Sequence, residues 1–168
     1  MTASTSREFL NALASGEGVD RVSVRLDSAA SSVGEARRFA EKQLVSWGFP
    51  PGEDLAQRVV LTVSELATNA VLHGRSRPSG EGELIEVALS LKPEFALGVA
   101  VTDDSNAVSL APTNPSVTAT HGRGLMLVTA LADSWLTVPC WRHGAPRGKD
   151  TWAFFRCHQT SAVLSRPA

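Results

Sequence analysis

The apolar positions of this chain switch between a two-residue and a three-to-four-residue period, and the switches divide it into elements. After a polar leader, Val22-Ser23-Val24-Arg25-Leu26 alternates apolar and polar and predicts a strand. Ser32-Val33-Gly34-Glu35 then has the form of a capping box, in which Ser32 accepts from a helix amide and Glu35 reaches back to the cap. The helix it opens carries Val33, Ala36, Ala40, Leu44 and Trp47 at helical spacing, and Gly48 with Pro50-Pro51 closes it. A second helix is predicted from Glu53-Asp54 to Gly74, with Ala56, Val59, Val60, Val63, Ala67, Ala70 and Val71 on one broad face. Its acidic start suits the positive end of the helix dipole.

Residues 74–82 are turn-rich, and two alternating runs follow, residues 83–91 and 95–103, joined through Lys92-Pro93-Glu94 as a hairpin. Residues 104–120 turn to Ser, Asn, Thr and Pro without any period, and a loop of that length in a small domain reads as a lid. Residues 124–133 return to helical spacing with Leu125, Val128, Leu131 and Ala132. Residues 135–140 and 150–157 then form a second hairpin across a connection at 142–148. The order of elements predicts an α+β fold, a two-layer sandwich of a mixed or antiparallel sheet covered on one face by helices. The expected domain spans residues 19–157, between a flexible leader at 1–18 and a flexible tail at 158–168.

With 168 residues, 43% of them hydrophobic and 20% charged, the chain can bury one core. A formal net charge of -1 provides no bulk field for a polyanion, which argues against nucleic acid as a partner. No apolar run is long enough for a membrane span, and the acidic leader does not read as a secretory signal. Cys140 and Cys157, each at the end of a strand-like run, read as small buried hydrophobes. The expected location is the cytoplasm, with no membrane partner.

Chemistry concentrates in the second helix. Four residues advance about 40° past a full turn, so Glu65, Asn69 and His73 form one narrow stripe, which Arg58 and Thr62 extend toward the helix start. The bland reading is a solvated face; against it, Leu61, Leu66 and Leu72 border the stripe and suggest a cleft wall. There the carbonyl oxygen of Asn69 can ligate Mg2+, and Glu65 can accept a proton from an attacking hydroxyl. Asp103, at the end of an apolar strand, can accept a hydrogen bond from an exocyclic amine such as that of adenine, with Asp104 as its rival. Gly122 and Gly124 bracket Arg123 before an apolar helix, an arrangement equally suited to an anion or to a tight turn. His121 and His73 read as structural imidazoles or as further ligands. In Gly148-Lys149-Asp150-Thr151-Trp152, the Thr151 hydroxyl can reach a base through water.

Taken in order, Glu65, Asn69 and His73, then Val101-Thr102-Asp103, then Gly122-Arg123-Gly124-Leu125, then Gly148 to Trp152, the chain resembles the GHKL ATPase superfamily. Within it, the chain looks closest to the small stand-alone bacterial serine kinases that act as anti-sigma factors. The resemblance implies a Bergerat-type ATP site, with Asn69 on Mg2+, Glu65 as general base and Asp103 on the adenine amine. It puts Gly122 and Gly124, with His121, Arg123 and Leu125, at the lid and phosphates, His73 on the nucleotide stripe and Thr151 near the base. It further implies a homodimer that phosphorylates a serine of a small anti-anti-sigma protein and sequesters a sigma factor. Asp103-Asp104-Ser105-Asn106-Ala107 departs from the Asp-x-Gly-x-Gly common in that superfamily, losing both glycines. The departure supports an alternative, a nucleotide-responsive protein-binding module without phosphoryl transfer.

Overall fold

In the computed structural model, which describes residues 3–74, 83–104, 123–142 and 144–158, the elements run α1 (Ala3–Ala14), β1 (Asp20–Asp27), α2 (Ala30–Ser46), α3 (Asp54–His73), β2 (Leu84–Lys92), β3 (Ala96–Asp103), α4 (Arg123–Leu131), β4 (Ser134–Arg142) and β5 (Ala145–Arg156). The strands form one five-stranded sheet in the order β1-β2-β3-β5-β4, with every neighbouring pair antiparallel. The fold is therefore α+β, as the pattern predicts, with the sheet wholly antiparallel.

Strand alternation divides the core in two. Val87, Leu89, Val99, Val101, Ala153 and Phe155 point to the side covered by α2 and α3, where they meet Ala36, Ala40, Leu44, Val59, Val63, Ala67 and Ala70. Ala88, Ala96, Ala100, Trp152 and Phe154 point to the other side and pack with Phe9 and Leu13 of α1. Both faces of β2 and β3 are thus buried, which explains why their polar positions are so few.

The leader does not match the expectation. Ala3–Ala14, expected to be flexible, is a helix seated on the second face of the sheet. Twelve residues are marginal for an isolated helix, so its stability comes from packing that the local pattern does not display. The Phe9 ring stacks on Phe154 at 5.5 Å between centroids. Gly98 leaves the room that Leu13 occupies, since a Cβ there would lie 2.6 Å from Leu13 Cδ1. Leu13→Ala is expected to destabilise the fold by about 2–5 kcal/mol, read as a lower urea midpoint.

Helix α2 also begins differently from the expectation. It starts at Ala30 with Ala29 as its cap and no side-chain capping bond, while Ser32 is buried inside the helix. The entry is set by backbone bonds from Ser28 to Glu83 and from Ala29 to Asp27, so Ser32 and Glu35 make no capping box. The last hairpin is also longer than expected: most of the predicted connection at 142–148 belongs to paired strand, with Trp141 opposite Pro146 and a register shift between Pro139 and Trp141.

One side chain anchors the helical layer near the candidate site. Arg58 Nε donates to Asp54 at 2.8 Å, its Nη1 donates to the Leu131 carbonyl at 2.9 Å, and its guanidinium lies 5.7 Å from the centre of the Phe155 ring. It therefore fixes the end of α4 to the start of α3 rather than extending a polar stripe, and Thr62 is fully buried. The sequence-expected lid at 104–120 lies outside the described residues beyond Asp104, as does the tail beyond His158.

Candidate functional site

Helix α3 is the spine of the site, and the polar stripe on it meets two different parts of the fold. At one level it meets the start of α4. A Cβ added to Gly124 would lie 3.0 Å from Glu65 Oε2, 3.1 Å from Asn69 Oδ1 and 3.2 Å from Asn69 Nδ2. The carboxylate and the carboxamide thus converge on the first turn of α4, whose unpaired amides and dipole favour an anion. Both side chains are half-buried. A side chain at this position would stand in tight contact with both groups, which would have to give by a few tenths of an ångström.

At the other end, α3 stops at Gly74, whose N–H donates to the Ala70 carbonyl at 2.9 Å. A Cβ on Gly74 would lie 2.6 Å from both Cβ and Cγ of Asp103. At Gly148, with φ +80°, a Cβ would overlap the Asp103 carbonyl oxygen. Asp103 is only 4% exposed, and its carboxylate faces the Lys149 ammonium at 3.8 Å. The choice between the two aspartates is thereby made: Asp103 lines the cavity, and Asp104 does not.

The floor between these ends comes from strand register. Val101, Thr151 and Thr137 are cross-strand partners on β3, β5 and β4, and the two hydroxyls lie 3.3 Å apart. Asp103 and Lys149 form the next pair on the same face, at the end of β3 that Gly74 approaches. Leu66, Asn69, Ala70 and His73 of α3 and Leu125 of α4 complete a cavity of about 120 Å3. Small-molecule sites usually hold about 300–1,000 Å3, so this cavity matches one part of a ligand, with apolar walls and a few polar groups at its end. From Glu65 to Gly74 the helix rises about 13 Å, room for a base, a sugar and phosphates in line.

Of the sequence-predicted site residues, Glu65, Asn69, His73, Asp103, Gly124, Leu125 and Thr151 are brought to this one region. Arg123 begins α4 beside them, and His121 and Gly122 lie outside the described residues. The expected apolar border is only partly present: Leu66 is buried in the wall, whereas Leu61 is 48% and Leu72 63% exposed. Residues not singled out from the sequence are Gly74, Thr137 and Lys149. A signal for Lys149 was available, because it stands two residues before Thr151 and strand period puts both on one face.

A larger cavity, about 290 Å3, lies between α2 and α3 and is lined by Leu44, Phe49, Pro51, Ala56, Val60 and Leu61 with Glu41 and Gln57. It gathers none of the candidate residues and no cation, so volume alone does not make it the site. Among the described residues there is no cluster of three or more His, Cys, Asp or Glu that could cage a metal. That chemistry leaves room for a Mg2+ held by one or two side-chain oxygens together with ligand phosphates, which the oxygens of Asn69 and Glu65 fit.

A model of the histidine kinase-like ATPase domain matches residues 26–152, well over half of the chain. No curated protein matches it in sequence.

Proposed function

Because the chain belongs to the histidine kinase-like ATPase domain family, we propose that the cavity along α3 is its ATP site and that the protein is an anti-sigma factor serine/threonine kinase. The observation that carries this reading is the meeting of Glu65 and Asn69 at Gly124, with Asp103 buried at the far end of the same helix. Two ends with opposite demands are present: oxygens and helix amides for phosphates, and a carboxylate for an amine.

The roles follow from the positions. Asp103 accepts from the adenine amine, and the hydroxyls of Thr151 and Thr137 stand beside the base. Asn69 Oδ1 is the side-chain ligand for Mg2+, which when bound neutralises phosphate charge. The first amides of α4 hold the phosphates. Glu65 takes the proton as the serine oxygen of the substrate attacks the γ-phosphorus; the bond to the β-bridging oxygen breaks, and ADP leaves with its electrons. The acceptor is a serine of a small anti-anti-sigma protein, and a sigma factor is the partner that this protein sequesters while it is free. A homodimer in the cytoplasm suits that role. No helix among the described residues is long and apolar enough to cross a membrane.

The test is transfer of labelled γ-phosphate from Mg-ATP to a serine-bearing partner that co-purifies with the protein. Transfer is expected, and its absence with ATP bound would favour a second reading. That reading, a nucleotide-responsive binding module, draws on Ser105 and Ala107, which stand where glycines are common. Asn69→Ala is expected to weaken Mg-ATP binding by roughly 10- to 150-fold, the effect of losing one contact to a charged group, measured by calorimetry with and without Mg2+.

A further inference from the structure

We infer that Lys149 reads the purine ring: its ammonium donates to the ring nitrogen N1, next to the amine that Asp103 receives, and so selects adenine over 6-oxopurines. The inference rests on the ATP reading above and extends it to base choice. Asp103 and Lys149 are direct partners in the register of β3 and β5, so their juxtaposition is set by the sheet. The two charged groups lie 3.8 Å apart, with side chains 5% and 18% exposed, and both line the cavity. They sit where Gly74 and Gly148 close on Asp103, whereas the glycine at the start of α4, Gly124, neighbours Glu65 and Asn69. Lys149 is therefore placed beside the carboxylate that the ATP reading assigns to the base.

A lysine offers three donors and no acceptor, whereas an ionised aspartate offers acceptors only. Side by side they form an acceptor next to a donor, the complement of an adenine edge, where an amine stands beside an unprotonated nitrogen. In inosine and guanosine nucleotides the amine is replaced by an oxo oxygen and N1 carries a hydrogen. Oxygen would then face Asp103 and N–H would face Lys149, like against like at both positions. Largely buried groups left without their hydrogen bonds make such ligands costly to admit. The Thr137 and Thr151 hydroxyls can turn to donate or accept, so they cannot enforce the distinction by themselves.

Calorimetric titration of the wild type, Lys149→Met and Lys149→Gln with Mg-ATP, Mg-ITP and Mg-1-deaza-ATP, in which N1 is replaced by C–H, tests the inference. The wild type is expected to bind ATP about tenfold or more tightly than either analogue. In Lys149→Met the gap between ATP and 1-deaza-ATP should close, and in Lys149→Gln, which keeps a neutral donor, part of it should remain. Should Lys149→Met fail to fold, the wild-type comparison and Lys149→Gln still decide. Equal wild-type affinity for ATP and 1-deaza-ATP, or a gap that survives in Lys149→Met, overturns the role of Lys149 and leaves the ATP site standing. Failure of the wild type to bind any nucleotide overturns both.

Discussion

Glu65→Gln is expected to lower phosphoryl transfer by about 10²–10⁴-fold while leaving Mg-ATP binding nearly unchanged. The amide matches the carboxylate in size, so the contact with Gly124 at the start of α4 survives. What disappears is the ability to take the hydroxyl proton as the serine attacks. Single-turnover transfer and calorimetry on the same preparation separate the two effects. If transfer persists at the wild-type rate, Glu65 is not the base; if transfer is absent even in the wild type while ATP binds, the binding-module reading takes its place. A loss of binding together with transfer would instead make Glu65 chiefly a ligand of the metal and phosphates.

Gly148→Ala is expected to have the largest effect on nucleotide affinity, a loss of roughly 100-fold or more, although residue 148 contributes no functional group. At φ +80° an L side chain costs about 1–2 kcal/mol in backbone conformation alone. Its Cβ would also overlap the Asp103 carbonyl oxygen, so the end of β3 must shift and carry the carboxylate with it. A lower thermal midpoint should accompany the loss. Gly74→Ala approaches the aspartate from the helix side without strain in φ: Gly74 has φ -88°, which any residue adopts, yet its Cβ would overlap the Ala70 carbonyl oxygen and fall 2.6 Å from Cβ and Cγ of Asp103, so the end of α3 and the aspartate must both give. Affinity should fall there too, with the aspartate displaced from the helix side. Normal ATP binding by both variants would remove Asp103 as the reader of the base.

These effects mark the boundary of what local patterns reveal. The face of α3 was legible because Ala56, Val59, Val63, Ala67 and Ala70 recur at helical spacing, and all are buried as that spacing implies. The strands at 83–91 and 95–103 were legible for the same reason at period two. The helix at the N-terminus was not, because Phe9 and Leu13 acquire meaning only against Gly98, Trp152 and Phe154, residues far along the chain. The capping box failed for a related reason: bonds from Ser28 and Ala29 fixed the start of α2 before Ser32 could act as a cap.

At the site, geometry internal to one helix was sufficient to align Glu65 with Asn69, since a helical repeat is a property of neighbouring residues. The glycine before Leu125 was likewise visible as a loop-to-helix entry. Which aspartate turns inward, which lysine it meets and which glycines hold it depended on the pairing of β3 with β5 and on where α3 ends against them. Such pairing joins positions widely separated in the chain through hydrogen-bond register and close backbone contact. No periodicity within a segment carries that information, so the Asp103–Lys149 end of the cavity emerges only when the sheet is assembled.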